Sequence, residues 1–152
     1  MASTLQSFGT MPVLVKHIMT APVVALFEEQ SLPLADDIMH FKHLRHLPVI
    51  DDDNQLVGLV SHRDILRAQI SALTGLTADE RRARQDHVRI GQLMTRDVWT
   101  VEPETPASKA GRLLMDHRFG CLPVVDPAGR LIGIVTERDY LRFAVHAIEI
   151  HD

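Results

Sequence analysis

The sequence has few cysteines, few aromatic residues and no long apolar run. Its 152 residues include a single cysteine, Cys121, so no disulfide can form within the chain and a reducing compartment is expected. The longest apolar stretches, such as residues 21–27, are broken by proline or end in charge, far short of the roughly 20 residues that span a bilayer. Residues 1–14 lack the basic start and apolar core of a signal peptide. We therefore expect a soluble, cytoplasmic protein with no membrane partner.

An excess of positive charge is also missing. Lysine and arginine total 16 against 20 aspartates and glutamates, which gives a formal net charge of −4. No general attraction to nucleic acid or to anionic lipid follows from such a balance. The short basic run at residues 81–84 is explained by a solvated helix face. A nucleic-acid partner is therefore not expected.

The motifs of catalysis and of metal binding are absent as well. The chain has no Walker-type loop, no Cys-x-x-Cys or His-Glu-x-x-His pattern and no evident nucleophile–base pair. His40, His43 and His46 fall three residues apart, but on a helix they would sweep around the axis instead of converging on one ion. Cys121 precedes an apolar strand without a base partner, which is typical of a small core residue. We expect neither an enzyme nor a metal site.

What the chain does contain is a duplication. The stretch GLVSHRD, Gly58 to Asp64, returns as GIVTERD, Gly133 to Asp139, at an offset of 75 residues (133 − 58). At this offset residues 15–67 align with 90–142 without a gap and share 16 identities in 53 positions. Chance would leave about three or four identities, so the chain consists of two copies of one unit. The predicted division is an N-terminal segment (1–14), repeat 1 (15–67), a connector (68–89) and repeat 2 (90–152).

Each copy predicts the same order of elements, β-α-β-β-α. Short β-type runs at 23–26 and 98–101 precede a helix in each copy, and Ser31 and Thr105 are the predicted N-caps of these two helices. A hairpin with a short polar turn follows, and a last helix begins at its end. The second copy of that helix has an apolar face at residues 140, 141, 144, 145 and 148.

A unit of this size buries too little surface to be stable alone. We therefore expect an α/β fold in which the two repeats pack sheet to sheet about a pseudo-two-fold axis, with a cleft between them. The connector is polar, and residues 77–80 form a predicted capping box that begins a short charged helix.

At this point the sequence resembles the cystathionine-β-synthase (CBS) domain family, and in its duplication a tandem CBS pair, or Bateman module. The resemblance lies in M-T before the first strand, L-P-V-[IV]-D in the second, and G-h-V-[ST]-x-x-D entering the last helix, all in both copies. It implies an adenosine ligand (AMP, ADP or ATP, or another adenosyl compound such as S-adenosylmethionine) in the cleft between the repeats. It also implies a homodimer and a regulatory action on a partner protein that the sequence does not identify.

The starts of the two last helices allow two interpretations. Ser61 with Asp64, and Thr136 with Asp139, are each spaced as a capping box, which by itself stabilises a helix by about 1 kcal/mol. A helix start also offers unpaired N–H groups and a positive dipole end to a phosphate. The resemblance implies that the hydroxyls contact phosphate and that the carboxylates accept the hydroxyls of a ribose.

The resemblance implies further ligand contacts in both copies. Gly58 and Gly133 lie in mid-strand, where glycine indicates either a bend or the close approach of another group. By resemblance that group is the ligand, and the base lies against the first and second strands. Arg63 and Arg138 begin the last helices and either contact phosphate or are solvated. The implied base contacts are Val23 and Pro48 in the first copy and Val98 and Pro123 in the second.

Arg45 and His46 distinguish the two copies. They precede the L-P-V strand in the first copy, where the second copy has Gly120 and Cys121. They suit the negative end of a helix dipole, and in related pairs basic residues here reach across the cleft. The sharper hypothesis is that the site at residues 136 and 139, served by Arg45 and His46, binds phosphate better than the site at residues 61 and 64. The alternative is a dimeric interaction scaffold that binds no ligand.

Overall fold

The computed structural model describes residues 11–70 and 75–152. Within them the chain forms helices and strands that repeat in the same order. The first copy contains α1 (Val15–Ile18), α2 (Leu32–Lys42), β1 (His46–Ile50), β2 (Leu56–Ser61) and α3 (His62–Ile70). The second contains α5 (Ile90–Leu93), α6 (Ala107–His117), β3 (Cys121–Val125), β4 (Leu131–Thr136) and α7 (Glu137–His151), and α4 (Ala78–Gln85) lies between them. The mixed α/β class and the duplication are confirmed.

The two predicted hairpins are confirmed. Strands β1 and β2 pair antiparallel, as do β3 and β4, and the registers are the same in both copies. An aspartate begins each turn: Asp51 accepts the N–H groups of residues 53 and 55, and Asp126 those of residues 128 and 130, all at 2.9 Å. Such side-chain bonds to the following backbone favour a tight turn.

The predicted first strands shrink to single bridges. Leu26 pairs parallel with Val49, and Val101 pairs in the same way with Val124. Extending the first ladder to residue 24 would require an N–H from Pro48, which proline does not have. Pro123 ends the second ladder for the same reason. The proline of the L-P-V motif therefore limits the strand that the apolar run predicted.

The helix starts agree only in part with the prediction. Thr77 and Glu80 form the predicted capping box of α4, with the Thr77 N–H donating to Glu80 at 2.9 Å. Ser31 is the N-cap of α2, but its side chain makes no capping bond. The prediction for Thr105 was wrong: α6 begins at Ala107 after Pro106, and the Thr105 hydroxyl instead accepts the N–H of Glu102 at 3.1 Å.

The first helix of each copy packs on the other copy. The Val15 N–H of α1 donates to the Thr105 carbonyl at 2.8 Å, and the Ile90 N–H of α5 donates to the Gln30 carbonyl at 2.9 Å. Val15 and Ile18 are buried in the second core, with residues of α6, β3 and β4. Ile90 and Met94 are buried in the first core, with residues of α2, β1, β2 and α3. Each packed unit thus exchanges its first helix with the other.

Backbone hydrogen bonds between the two units come in symmetric pairs. Thr20 pairs antiparallel with Ile134 on the edge of β4, and Thr95 pairs in the same way with Leu59 on the edge of β2. At the hairpin tips, the Leu56 N–H donates to Gly129 at 3.3 Å and the Leu131 N–H donates to Asn54 at 3.0 Å. Each bond maps onto its partner at the 75-residue offset, as the pseudo-two-fold relation of the repeats requires.

The predicted apolar face of α7 divides into two parts. Tyr140 packs inward, with its hydroxyl donating to the Ala107 carbonyl at 2.6 Å. Leu141, Val145 and Ile148 are instead 65%, 44% and 59% exposed. Nothing within the described residues covers this apolar surface of the longest helix. None of the described helices is long and apolar enough to cross a membrane.

Candidate functional site

The starts of α3 and α7 occupy equivalent positions. In each copy the second hairpin strand leads into the helix without a loop, because Ser61 ends β2 and Thr136 ends β4. Ser61 lies opposite His46 at the beginning of β1, and Thr136 lies opposite Cys121 at the beginning of β3. The hydroxyl residues are therefore held beside the residue pairs that differ between the copies.

At the start of α3, the side chains of Ser61 and Asp64 bond to each other. The Ser61 N–H and hydroxyl both donate to Asp64 Oδ2, at 2.8 and 2.9 Å. The Asp64 N–H donates back to Ser61 Oγ at 3.2 Å, which completes the predicted capping box. Within residues 11–70 and 75–152, the other carboxylate oxygen, Oδ1, accepts no hydrogen bond. The half-buried Asp64 carboxylate therefore retains free acceptor capacity.

At the start of α7, Asp139 is more deeply buried and has more partners. Its exposed fraction is 3%, and its Oδ2 accepts the N–H and the hydroxyl of Thr136 at 2.8 and 3.3 Å. Its Oδ1 accepts the Thr20 hydroxyl at 2.8 Å, and Arg142 Nη1 lies 3.5 Å from the same oxygen. Four donor groups therefore surround this carboxylate. Both interpretations of the helix starts, as caps or as ligand contacts, require this placement of the carboxylates.

His46 lies between the two units. Its half-buried imidazole fills the space where a side chain at residue 120 would begin, so it contacts Gly120 of the other copy. Burial lowers the pKa of His46 from 6.5, and the neighbouring Arg45 guanidinium lowers that pKa further. The carboxylates of Asp64 and Glu137 act in the opposite sense. His46 is therefore close enough to both helix starts for the carboxylates of Asp64 and Glu137 to affect its pKa.

Arg45 also makes the two helix starts unequal. Its side chain is exposed, while its carbonyl accepts the His62 N–H of α3 at 2.8 Å. No corresponding bond joins the Glu137 N–H to the Gly120 carbonyl in the described part of the chain. In the first turn of α7 the Glu137 N–H is thus available to an anion, whereas the equivalent His62 N–H in α3 is not.

The glycines in mid-strand have protein neighbours. A Cβ at Gly58 would lie 2.5 Å from the Met94 sulfur, and a Cβ at Gly133 would lie 2.5 Å from the Met19 sulfur. The close approach that the sequence indicates is present, but the approaching group is the Met-Thr segment of the other copy. The contact with this segment therefore explains the two glycines without any ligand.

The remaining predicted contacts are not gathered around one open cavity. Pro48 and Pro123 are buried, and their carbonyls accept the N–H groups of residues 26 and 101. Val23 is half-buried, and the half-buried Val98 lies in a shallow depression with Asp97 and Trp99. Arg63 and Arg138 are exposed on the first turns of their helices, and within the described residues neither makes an ion pair.

Sequence reasoning missed two features beside this region. Thr20 was visible only as part of a repeated Met-Thr pair, and nothing in the sequence indicated its bond to Asp139, 119 residues away. Trp99 is 52% exposed and packs on His117 and Phe119, with ring centroids 4.7 and 5.6 Å away. Its position as the only tryptophan, next to Val98, was the one available signal.

The structure offers little reactive or metal-binding chemistry in the described residues. No group of three or more histidine, cysteine, aspartate or glutamate side chains is placed to hold a metal ion among residues 11–70 and 75–152. Burial raises the pKa of the Cys121 thiol to about 12, so this cysteine is held in its unreactive protonated form.

Comparison with known sequences identifies relatives of both repeats. A family model of the CBS domain matches residues 15–71 and 90–146. The chain is 30% identical over 139 residues to a CBS domain-containing protein of Dictyostelium discoideum, covering 91% of this chain and 96% of that protein. It is also 33% identical over 128 residues to a homoserine O-acetyltransferase of Methanococcoides burtonii, but it spans only 23% of that enzyme's length.

Solved structures show the same architecture. CBSX2 of Arabidopsis thaliana in complex with AMP matches with a TM-score of 0.74 and 32% identity, covering 88% of this chain and 97% of that one. The CBS domain pair of protein MJ0100, in complex with 5′-methylthioadenosine and S-adenosylmethionine, matches with a TM-score of 0.74 and 27% identity. That match covers 90% of this chain and 99% of the other.

Proposed function

Because the chain belongs to the CBS domain family, we propose that it is a regulatory module that binds an adenosine nucleotide in the cleft between its two repeats. One observation carries this proposal: two carboxylates stand at equivalent helix starts, and the basic pair Arg45 and His46 lies beside them at the boundary between the units. Similar CBS pairs hold AMP, or 5′-methylthioadenosine with S-adenosylmethionine. Binding changes the packing of the repeats, and a partner protein binds differently to the changed arrangement.

Each part of the ligand has a proposed contact. The carboxylates of Asp64 and Asp139 accept ribose hydroxyls, while Ser61 and Thr136 donate their hydroxyls to phosphate at the helix starts. Arg63 and Arg138, on the first turns, assist in holding the phosphate. The base lies along the first run of each copy, against Val23 and Pro48 or Val98 and Pro123, beside Gly58 or Gly133. Trp99 lies next to one of these slots and serves as a fluorescent reporter.

The charges favour a phosphorylated ligand at the second site. His46 interacts with the charge of Glu137 at the start of α7, and the Arg45 guanidinium neighbours His46. Within the described residues, the Glu137 N–H lacks the carbonyl partner that the His62 N–H has. The Arg45 guanidinium attracts the negative phosphate of AMP, ADP or ATP and repels the positive sulfonium of S-adenosylmethionine, while the neutral His46 imidazole offers the phosphate one N–H donor. We therefore assign phosphate binding first to the site at Thr136 and Asp139, and we place S-adenosylmethionine second.

A dimeric scaffold without a ligand is the second candidate. It is favoured by the helix-start bonds, since the α3 capping box is complete and the Thr136 N–H of α7 is paired with Asp139 without any bound molecule. The exposed apolar residues of α7 support a homodimer in either case. In both cases the chain acts on another protein in the cytoplasm and catalyses no reaction itself.

Isothermal titration with AMP, ADP, ATP and S-adenosylmethionine separates these candidates. We expect AMP or another nucleotide to bind, and to raise the free energy of unfolding by about 2.7 kcal/mol at 100 times its Kd. Asp139→Asn should remove most of this binding and Asp64→Asn less of it. Nucleotide-free protein that binds none of the four compounds would favour the scaffold.

A further inference from the structure

The bond between Thr20 and Asp139 breaks the symmetry of the molecule. The backbone bonds between the two units occur in pairs at the 75-residue offset, including the pairing of Thr20 with Ile134 and of Thr95 with Leu59. The Thr20 hydroxyl adds a side-chain bond, at 2.8 Å to Asp139 Oδ1. In the described part of the chain, Thr95 makes no equivalent bond to Asp64. The carboxylates at two equivalent helix starts thus have different hydrogen-bond partners.

The consequence for a ligand follows from the number of acceptor positions. An ionised carboxylate offers about four lone-pair positions. At Asp139 they face the Thr136 N–H, the Thr136 hydroxyl, the Thr20 hydroxyl and Arg142. A ribose diol needs two of these positions, so it cannot bind Asp139 without displacing donors that are already present.

The donors differ in how easily they leave. The Thr136 N–H is a backbone group of the helix start, and its release would uncap α7. Arg142 is 65% exposed and 3.5 Å away, so it contributes little. Thr20 is exposed, and water can replace Asp139 as the partner of its hydroxyl. A ribose hydroxyl therefore loses the least binding free energy when it replaces the Thr20 hydroxyl on Asp139 Oδ1.

We propose that Thr20 is a latch that holds the Asp139 carboxylate in the ligand-free protein and is displaced by the ribose of the nucleotide. This inference rests on the proposed function and adds its regulation. The Asp64 site needs no such displacement, because its Oδ1 accepts no hydrogen bond from the described residues. At the Asp139 site, binding releases the hydroxyl of Thr20. The backbone of Thr20 also pairs with β4, and the preceding Met19 contacts Gly133 of that strand. Nucleotide binding is thereby linked to the attachment of the first repeat's leading segment to the second unit.

Thr20→Val tests the latch, since valine keeps the branched shape and removes the hydroxyl. The titrations use AMP, with Asp64→Asn in every variant so that only the Asp139 site is observed. We expect Thr20→Val to bind AMP roughly fivefold to tenfold more tightly, because no hydrogen bond to the carboxylate must be exchanged. Thr20→Ser keeps the donor and should retain the affinity of the Asp64→Asn parent. Thr95→Val is the matched control in the other copy and should also leave it unchanged.

Ligand-free stability provides an independent reading. The latch predicts that Thr20→Val lowers the Tm without AMP while it raises the affinity for AMP, whereas a merely structural role would lower both. Equal or weaker AMP binding by Thr20→Val than by its parent overturns the latch. The proposed function is judged separately, from the loss of AMP binding when Asp139→Asn or Asp64→Asn is made in the otherwise wild-type chain. If no variant binds AMP, Thr20→Val included, both the proposed function and the latch are wrong.

Discussion

The imidazole of His46 lies where the Cβ of residue 120 would lie if that residue were not glycine. The two residues belong to different repeats, and their contact brings the beginnings of β1 and β3 together across the pseudo-two-fold axis. The requirement for glycine at residue 120 is therefore set by a histidine 74 positions earlier in the chain (120 − 46).

Gly120→Ala should displace His46 and loosen this contact. We expect a loss of only about 0.5–1 kcal/mol in the free energy of unfolding, because residue 120 is exposed and the far end of the His46 ring can move aside. Urea denaturation measures it. If the cause is the contact with His46, the loss should largely disappear in a His46→Ala background, since residues in contact show coupled effects. An undiminished loss in that background would contradict this explanation.

The lowered pKa of His46 predicts a pH dependence of stability. Between the folded pKa and 6.5, the unfolded chain binds a proton at His46 that the folded chain does not bind. The contribution of His46 is therefore fully present above pH 6.5 and is lost as the pH falls below that value. Asp64 and Glu137 oppose the shift, and Arg45 adds to it. In urea unfolding at pH 7.5, 6.5 and 5.5, His46→Gln should decline less steeply than the wild type. The exposed His62, as His62→Gln, is the matched control, and an equal change in both variants would refute the assignment.

The two helix starts should differ in stability. Asp139→Asn turns an amide group towards donors at a site that is 3% exposed, so we expect a loss of about 2–3 kcal/mol. Asp64→Asn affects only the capping box of α3 and should lose about 1 kcal/mol. Equilibrium urea unfolding of the ligand-free variants compares the two losses directly. Equal losses would mean that the extra donors at Asp139 contribute no net stability.

The exposed apolar surface of α7 predicts self-association. Leu141→Arg with Ile148→Arg should convert a dimer into a monomer, because two charges would then be buried at the interface. Light scattering after size-exclusion chromatography gives the mass, and circular dichroism verifies the fold. Ala83→Arg, on the exposed helix α4, adds a charge elsewhere and should leave the mass unchanged. A monomeric wild-type protein would remove the homodimer from the proposal.

Cys121 should be unreactive while the protein is folded. The raised thiol pKa, about 12, leaves almost no thiolate at pH 8, and the side chain is buried. Ellman's reagent should therefore react slowly in buffer and with one equivalent of thiol per chain in urea, since the chain has one cysteine. Fast reaction of the folded protein would show that β3 opens readily.

Local features of the fold were predictable from the sequence, and the candidate site was predictable in part. The hairpins followed from pairs of short apolar runs joined by polar turns, and the capping boxes from a hydroxyl residue three positions before a carboxylate. The first strands were overestimated at residues 23–26 and 98–101, because the missing N–H of Pro48 and Pro123 acts on a neighbouring strand. Similarly, threonine is a common N-cap residue, but Thr105 lies one residue too far from the start of α6 to cap it.

The sequence by itself determined the duplication, the family, the hairpins and the positions of Ser61, Asp64, Thr136 and Asp139 at helix starts. These features depend on residues close together in the chain or on a repeated spacing. Only the tertiary structure decided that α1 and α5 exchange between the units, that Thr20 bonds Asp139, and that part of the α7 face is exposed. Those outcomes depend on how two similar units pack, and the units are chemically unequal where they meet. A sequence alignment of the repeats treats such positions as equivalent, but the side chains at these positions make different contacts across the axis.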